Sequence, residues 1–229
     1  MDTQTYILPG GHIDSKGHVH KQVVLTTLGG REEELLSNQQ YASAKLVTEL
    51  ITRSVKRIGD IAPVTHEIAR QLLVADREFI LLMLRQLTFG DRVESTLPCP
   101  WPDCGKNIDI DFSIANIPIT SIDEVYPTYQ VDLLMHQSSE HDINNGMVVE
   151  YRLPNGGDQE HIGLDRTSNA AEVETILMQR CIQRIGDNAH PSLNDIQSLN
   201  AQHRVHIEQE MESIAPNLDL TMELDCPEC

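Results

Sequence analysis

The sequence predicts an α+β protein made of two copies of a strand-helix-helix-strand unit, with a zinc-ribbon-like site of four cysteines joining the copies. Three observations support this class. Alternating apolar residues and helically spaced apolar residues follow one another in the same order twice. The two halves align without a gap at an offset of 127 residues, which indicates an internal repeat. Each half carries a close pair of cysteines directly after a predicted strand, and the two aligned segments share a Cys-Pro near their ends.

Composition and charge narrow the possible functions. The 229 residues include 35 acidic and 17 basic side chains, for a net charge of −18, while 40% of residues are apolar. A surface this acidic repels phosphate backbones, so we expect no nucleic-acid partner. No apolar run approaches the roughly 18 residues of a membrane helix, and the first residues do not resemble a signal peptide. We therefore expect a soluble, cytoplasmic protein with no direct membrane insertion.

The first half contains the expected elements in order. Short strands over residues 5–8 and 20–28 flank a turn at residues 14–17. Helical spacing predicts a helix over residues 41–58 that ends at Gly59. Thr65 can cap a further helix, which breaks near residues 75–76 and continues to about residue 87. Alternation then predicts strands over residues 93–97 and 108–112, with Cys99 and Cys104 at the tip of their hairpin.

The second half repeats this order after a proline-containing connection at residues 117–127. The expected elements are strands over residues 131–134 and 147–153, a turn at 155–157, helices over 168–185 and 192–214, and a half-buried strand over 218–224. We divide the chain into an N-terminal strand or hairpin arm (residues 1–19), a first repeat (20–113), a linker with a short strand (114–146) and a second repeat (147–229).

Residues 20–102 and 147–229 share 18 identities over 83 aligned positions. Arg57-Ile58-Gly59-Asp60 aligns with Arg184-Ile185-Gly186-Asp187, and Cys99-Pro100 aligns with Cys226-Pro227. Chance similarity between two helix-rich segments is the alternative, but the gap-free register disfavours it.

The paired cysteines predict a structural metal site. Cys99 and Cys104 form a C-x4-C knuckle, and Cys226 and Cys229 form a C-x2-C knuckle. Tetrahedral zinc takes its thiolate ligands from such close pairs. If the two copies pack about a pseudo-twofold axis, the four cysteines close one site with no open coordination position, so the Zn²⁺ would be structural. Free thiols or an adventitious disulfide are the alternatives.

Other reactive side chains favour ordinary roles. Cys181 occupies an apolar position of a predicted helix, and we expect it in the core. The histidine pairs, His18 with His20 and His203 with His206, are more consistent with solvated faces than with metal sites. No phosphate-binding glycine loop or nucleophile elbow is present, and Gly29-Gly30 and Gly156-Gly157 occupy predicted turns. We therefore predict no catalytic or organic-cofactor-binding residues, and no enzyme activity.

Several stretches resemble a known family. They are residues 28–35 (LGGREEEL), 63–65 (PVT), 72–82 (LLVADREFILL), 88–91 (TFGD) and 99–104 (CPWPDC). They are similar to T4-type baseplate hub proteins, also called baseplate hub assembly chaperones, of contractile phage tails and contractile injection systems. The resemblance covers nearly the whole chain and is strongest over residues 28–112. The relatives usually continue beyond the last C-x-x-C, so the second knuckle is expected to have less support here.

This resemblance implies a non-enzymatic role in building or completing a baseplate around the hub and spike. Cysteine-containing members of the group carry zinc-ribbon-like knuckles, which Cys99, Cys104, Cys226 and Cys229 match. The implied partners are hub, spike or tail-tube proteins, and the implied location is the bacterial cytoplasm or the baseplate of the assembled particle. The resemblance leaves open whether the protein is an assembly chaperone or a structural subunit.

Two other classes of function remain as alternatives. A zinc-ribbon factor that binds nucleic acid would need basic residues around the knuckles, where only Arg92 and Lys106 stand among seven acidic side chains. A zinc hydrolase that uses the histidines would need an ion with an open coordination position.

Overall fold

The computed structural model describes residues 2–37, 43–133, 147–163, 169–226 and 228–229. It is a mixed α/β fold in which small antiparallel sheets and short helices alternate along the chain. Among the described residues, no helix has both the length and the hydropathy required to cross a bilayer.

The first half is organised around a three-stranded sheet of order β1-β2-β3. The N-terminal strand β1 pairs antiparallel with β2 along most of its length, and it contributes Leu8 to the core. The helices pack against this sheet and against one another. The elements are β1 (Thr3–Ile13), β2 (Val19–Thr26), α1 (Gly30–Leu36), α2 (Ser43–Ser54), β3 (Val55–Ile58), α3 (His66–Gln71) and α4 (Val74–Phe89).

A two-stranded hairpin follows α4. Its strands β4 (Arg92–Pro98) and β5 (Asn107–Ser113) pair without a break from the first residue of β4 to the last. A short 3-10 helix (Ile114–Asn116) and the strand β6 (Ile119–Thr120) lead out of the hairpin.

The second half is organised around a four-stranded sheet of order β10-β9-β8-β7. The last strand, β11, pairs with β6, so the end of the chain returns to the base of the hairpin. The elements are β7 (Tyr129–Asp132), β8 (Val148–Tyr151), α5 (Gly156–Ile162), α6 (Ala170–Cys181), β9 (Ile182–Ile185), β10 (Asn188–Ala189), α7 (Leu193–Ser198), α8 (Ala201–Ile214) and β11 (Asn217–Leu218).

Two apolar cores correspond to the two halves. The first includes Leu25, Ile51 and Ile80, and the second includes Val149, Ile182 and Ile207, all fully or almost fully buried. Helix α5 joins them, because it packs against α2, α3 and α4 of the first half as well as α6 of the second.

Several element boundaries differ from those expected. The predicted helix over residues 41–58 ends at Ser54, and Val55–Ile58 is a strand. Likewise, the helix predicted over 168–185 gives way to β9 after Cys181. Residues 41, 134 and 168, where three predicted elements begin or end, lie outside the described residues. The break between α3 and α4 falls at Leu72-Leu73 rather than at residues 75–76.

Three other expectations were wrong. The predicted turns at Gly29-Gly30 and Gly156-Gly157 are the beginnings of α1 and α5. The long helix predicted over residues 192–214 is two helices, α7 and α8. The strand predicted over 218–224 is regular only at its start, and Leu220, Met222 and Leu224 are exposed.

The two halves nevertheless carry matching elements at the offset found in the sequence. Gly59 and Gly186, which follow β3 and β9, both have φ of +53°. Three pairs of elements begin and end 127 residues apart: α2 with α6, β3 with β9, and α3 with α7.

Candidate metal centre

The β4–β5 hairpin positions the first cysteine pair. Its last ladder pair, Pro98 with Asn107, places residues 99–106 in the connecting loop. The Cys99 amide donates to the Lys106 carbonyl at 2.7 Å, and the Cys104 amide donates to the Trp101 carbonyl at 3.1 Å. Gly105 follows at φ +61°, a backbone conformation that side-chain-bearing residues rarely adopt. Cys99 and Cys104 therefore lie in the tight loop at the tip of the hairpin, as predicted.

The C-terminal segment brings the second pair to the hairpin from far along the chain. After β11 pairs with β6, the Asp219 amide donates to the Pro118 carbonyl at 3.0 Å, which holds the segment at the base of the hairpin. Residues 219–226 then lead to Cys226 and Cys229 without regular secondary structure. Among the described residues, the second knuckle is thus supplied by a segment without regular secondary structure and not by a second hairpin.

The four sulfur atoms form one compact cluster. All four Sγ atoms lie within 4.8 Å of one another. Cys99 Sγ is 3.7 Å from Cys229 Sγ, and Cys104 Sγ is 3.7 Å from Cys226 Sγ, so each close contact joins the two knuckles. Tetrahedral Zn²⁺ with Zn–S bonds of about 2.3 Å requires S–S separations of about 3.8 Å. Because the sulfurs of a disulfide are about 2.0 Å apart, this spacing fits coordination of a metal ion and not a disulfide.

The electrostatics of the cluster favour a bound cation. The backbone N–H groups of Glu228 and Cys229 donate to Cys226 Sγ and lower its pKa to about 7. In contrast, contact with the Cys226, Cys104 and Cys99 sulfurs raises the pKa of Cys229 to about 12. Several thiolates at this distance repel one another, so all four ionise together only when a positive ion lies between them.

The surroundings of the cluster are open to solvent. Three of its cysteines are half-buried and Cys229 is exposed, while the neighbouring Trp101 side chain is 65% exposed. A shallow depression lies beside Cys104. The charged residues that line it are one base, Lys106, and two acids, Asp103 and Glu228. Four cysteines in this arrangement can hold a metal ion, but they leave no coordination position for a substrate.

The other sequence candidates lie elsewhere. Cys181 is completely buried in the second core, as predicted, and burial raises the pKa of its thiol to about 12. His18 and His20 both contact the Asp14 carboxylate, at 3.4 and 3.2 Å. His203 and His206 lie half-buried on α8 and do not form the fully solvated face expected. In the described part of the chain, the four cysteines are the one group of three or more His, Cys, Asp or Glu side chains close enough to share an ion.

Sequence reasoning missed a set of buried charges at the junction of the two halves. Arg77 is 1% exposed and donates to the Ala44 and Ala69 carbonyls, both at 2.8 Å, and to the Gln159 side chain of α5 at 3.1 Å. A Cβ atom at residue 156 would collide with its guanidinium, so Gly156 permits this approach. The signal in the sequence was the charged stretch Asp76-Arg77-Glu78 at the start of a helical run that is otherwise apolar up to Leu84.

Asp158 is the second buried charge at the junction. It is fully buried and accepts from Arg152 at 2.6 Å and from Arg180 at 2.7 Å. Burial alone would raise the pKa of Asp158, but these two guanidinium groups outweigh it and the pKa is lowered. The sequence feature that could have revealed Asp158 is its spacing of three residues from Asn155, because this spacing is typical of a capping box, which the structure has at the start of α5.

Comparisons with known proteins place the chain in a family. Searches of curated proteins and of solved structures found no match. A protein-family model, described as T4 bacteriophage base plate protein, matches residues 16–229 of the chain. The match includes both halves and all four clustered cysteines. The chain therefore belongs to the T4 bacteriophage base plate protein family.

Proposed function

We propose that the protein is a non-enzymatic hub component or assembly factor of the baseplate of a contractile phage tail or phage-tail-like injection system. The family match over residues 16–229 is the observation that carries this proposal. In this role the protein acts through contacts with hub, spike or tail-tube proteins. It works in the bacterial cytoplasm during assembly or within the finished baseplate.

The four-cysteine cluster is proposed to hold one structural Zn²⁺ through Cys99, Cys104, Cys226 and Cys229. The S–S contacts of 3.7 Å support zinc, because they match the edge of a tetrahedral thiolate site. Bound zinc would tie the C-terminal segment to the β4–β5 hairpin and reduce the repulsion between the thiolates. With four protein ligands it would have no role in chemistry on a substrate.

An internal duplication is proposed to underlie the two halves, with repeats at residues 20–113 and 147–229, an arm at 1–19 and a linker at 114–146. The equal offset of three pairs of elements supports it. So do two equivalent contacts: Arg77 donates to Thr48 Oγ1 at 3.1 Å, and Arg204 donates to Thr175 Oγ1 at 2.8 Å. The cluster then joins the equivalent ends of the two repeats.

Deleting the coding sequence and purifying the particles tests the proposed function. We expect tails without complete baseplates, and complementation by the wild-type chain should restore them. Normal, fully assembled and contractile particles from the deletion strain would overturn the proposal.

Mass spectrometry of wild-type particles distinguishes a structural subunit of the baseplate from an assembly chaperone. A structural subunit should be present at a fixed ratio to the tail-tube protein. An assembly chaperone should be absent from finished particles and present in assembly intermediates.

A further inference from the structure

A groove crosses the junction between the two halves, away from the cysteine cluster. Its volume is about 450 Å³, within the range of about 300–1,000 Å³ typical of binding pockets. Leu73 and Val74 at the start of α4 form one wall, and Leu153, Pro154, Ile162 and Leu177 of the second half form the other. Most of the lining is apolar.

The two walls of this groove are held together by backbone contacts between the two halves. The Val74 amide donates to the Pro154 carbonyl at 3.3 Å, and the Gly156 amide donates to the Leu72 carbonyl at 3.0 Å. Because these bonds fix both walls, the groove is formed before anything binds. A preformed groove reduces the ordering cost of binding.

One carboxylate in the groove has no counter-charge. Glu78 lies on α4 and is half-buried, and its side-chain carboxylate makes no hydrogen bond or ion pair with any described residue. Burial raises its pKa above the ordinary value for glutamate. The other acid of the lining, Asp158, is already paired with Arg152 and Arg180. Glu78 is therefore the charged group available to an occupant.

We propose that this groove binds a segment of another protein that presents apolar side chains together with one Lys or Arg. The apolar walls favour burial of apolar side chains, and Glu78 favours a cation next to them. The net charge of −18 attracts a basic partner over longer distances. The same charge repels anionic lipid headgroups, which makes a membrane surface a poor occupant. This inference rests on the proposed function and identifies one surface through which it would operate.

The test uses a short-peptide display library selected against the full chain. We expect the enriched peptides to combine apolar residues with at least one Lys or Arg. The best peptide is then synthesised, and its Kd is measured by fluorescence anisotropy against wild type, Glu78→Gln, Glu78→Lys and Glu34→Gln. Glu34 is an exposed carboxylate on α1, outside the groove, and serves as the matched control.

Binding should weaken about tenfold in Glu78→Gln, because a charge-assisted hydrogen bond is lost, and further in Glu78→Lys. Glu34→Gln should bind as wild type does. Failure to enrich any peptide, enrichment without basic residues, or equal binding to wild type and Glu78→Gln would overturn the inference. If the deletion strain still lacks baseplates in that case, the groove assignment alone fails and the proposed function stands.

Discussion

At the scale of single residues, Arg77 shows how a buried charge can hold two parts of a chain together. Its guanidinium satisfies carbonyl groups of α2 and α3 and the Gln159 side chain of α5. Burial lowers its pKa to about 10, which still leaves the side chain charged at neutral pH. Since a buried cation needs partners in a defined geometry, Arg77 fixes where α5 sits on the first half.

Asp76, the neighbour of Arg77, makes the stability of the fold depend on pH. Its carboxylate is fully buried and accepts from the Gly10 and Gly11 amides of β1, both at 2.8 Å. Burial raises its pKa from 3.8 to about 6, although these amides and Lys21 oppose the shift. The folded state therefore holds the Asp76 proton more tightly than the unfolded state. The contribution of the protonated Asp76 side chain to the unfolding free energy is therefore complete below about pH 4, and it is lost as the pH rises through about 6.

The Asp76→Asn variant tests this assignment, because the amide cannot titrate. The unfolding free energy of wild type, minus that of Asp76→Asn, should fall by about 2 kcal/mol between about pH 4 and pH 7. Urea denaturation at closely spaced pH values measures the difference. A difference that stays constant over this window would show that Asp76 does not titrate there.

At the scale of elements, Gly59 and Gly186 offer a matched pair. Each glycine directly follows a short strand that continues from a helix, Gly59 after α2 and β3 and Gly186 after α6 and β9. Both have φ of +53°, a backbone conformation in which an alanine is strained by roughly 1–2 kcal/mol. A Cβ atom at residue 186 would meet no other atom within 4 Å, whereas one at residue 59 would collide with the His20 ring. Gly59→Ala should therefore destabilise the protein by at least about 1 kcal/mol more than Gly186→Ala. Urea denaturation of both variants checks the order, and equal losses would contradict it.

The elements also show where sequence patterns are ambiguous. Val55 and Ile58 are buried and Lys56 and Arg57 are exposed in β3, a spacing of three that a helix would also produce. Between its pairings with Val24 and Leu25 of β2, β3 contains one extra residue, Lys56, and this bulge allows the spacing in a sheet. A spacing of three residues does not by itself distinguish a bulged strand from a helical turn. The reverse occurs at residues 218–224, where alternation predicts a strand. A strand needs a paired neighbour, and the described chain supplies one only for Asn217–Leu218.

At the scale of the whole molecule, the helices α2, α4 and α6 and the cysteine hairpin were predictable because they depend on local spacing. The hypothesis that the four cysteines share one site came from the offset of 127 residues, which aligns Cys99 with Cys226. The groove and the buried charges were not predictable in the same way. Their residues come from segments such as 72–78 and 153–162, and only the packing of α5 onto the first half brings these together.

The proposed zinc should connect the C-terminal segment to the hairpin, and Cys99→Ser tests this against Cys181→Ala. The first change removes one of four clustered thiols, while the second removes a buried thiol of the second core. We expect about one zinc per chain in wild type and Cys181→Ala, measured by elemental analysis, and little in Cys99→Ser.

Since zinc binding contributes folding energy, hydrogen exchange in β4, β5 and residues 219–226 should accelerate in Cys99→Ser, as in chelator-treated wild type. Cys181→Ala should lose only about 1 kcal/mol through its small cavity. Full zinc content and unchanged exchange in Cys99→Ser would refute the shared four-thiolate site.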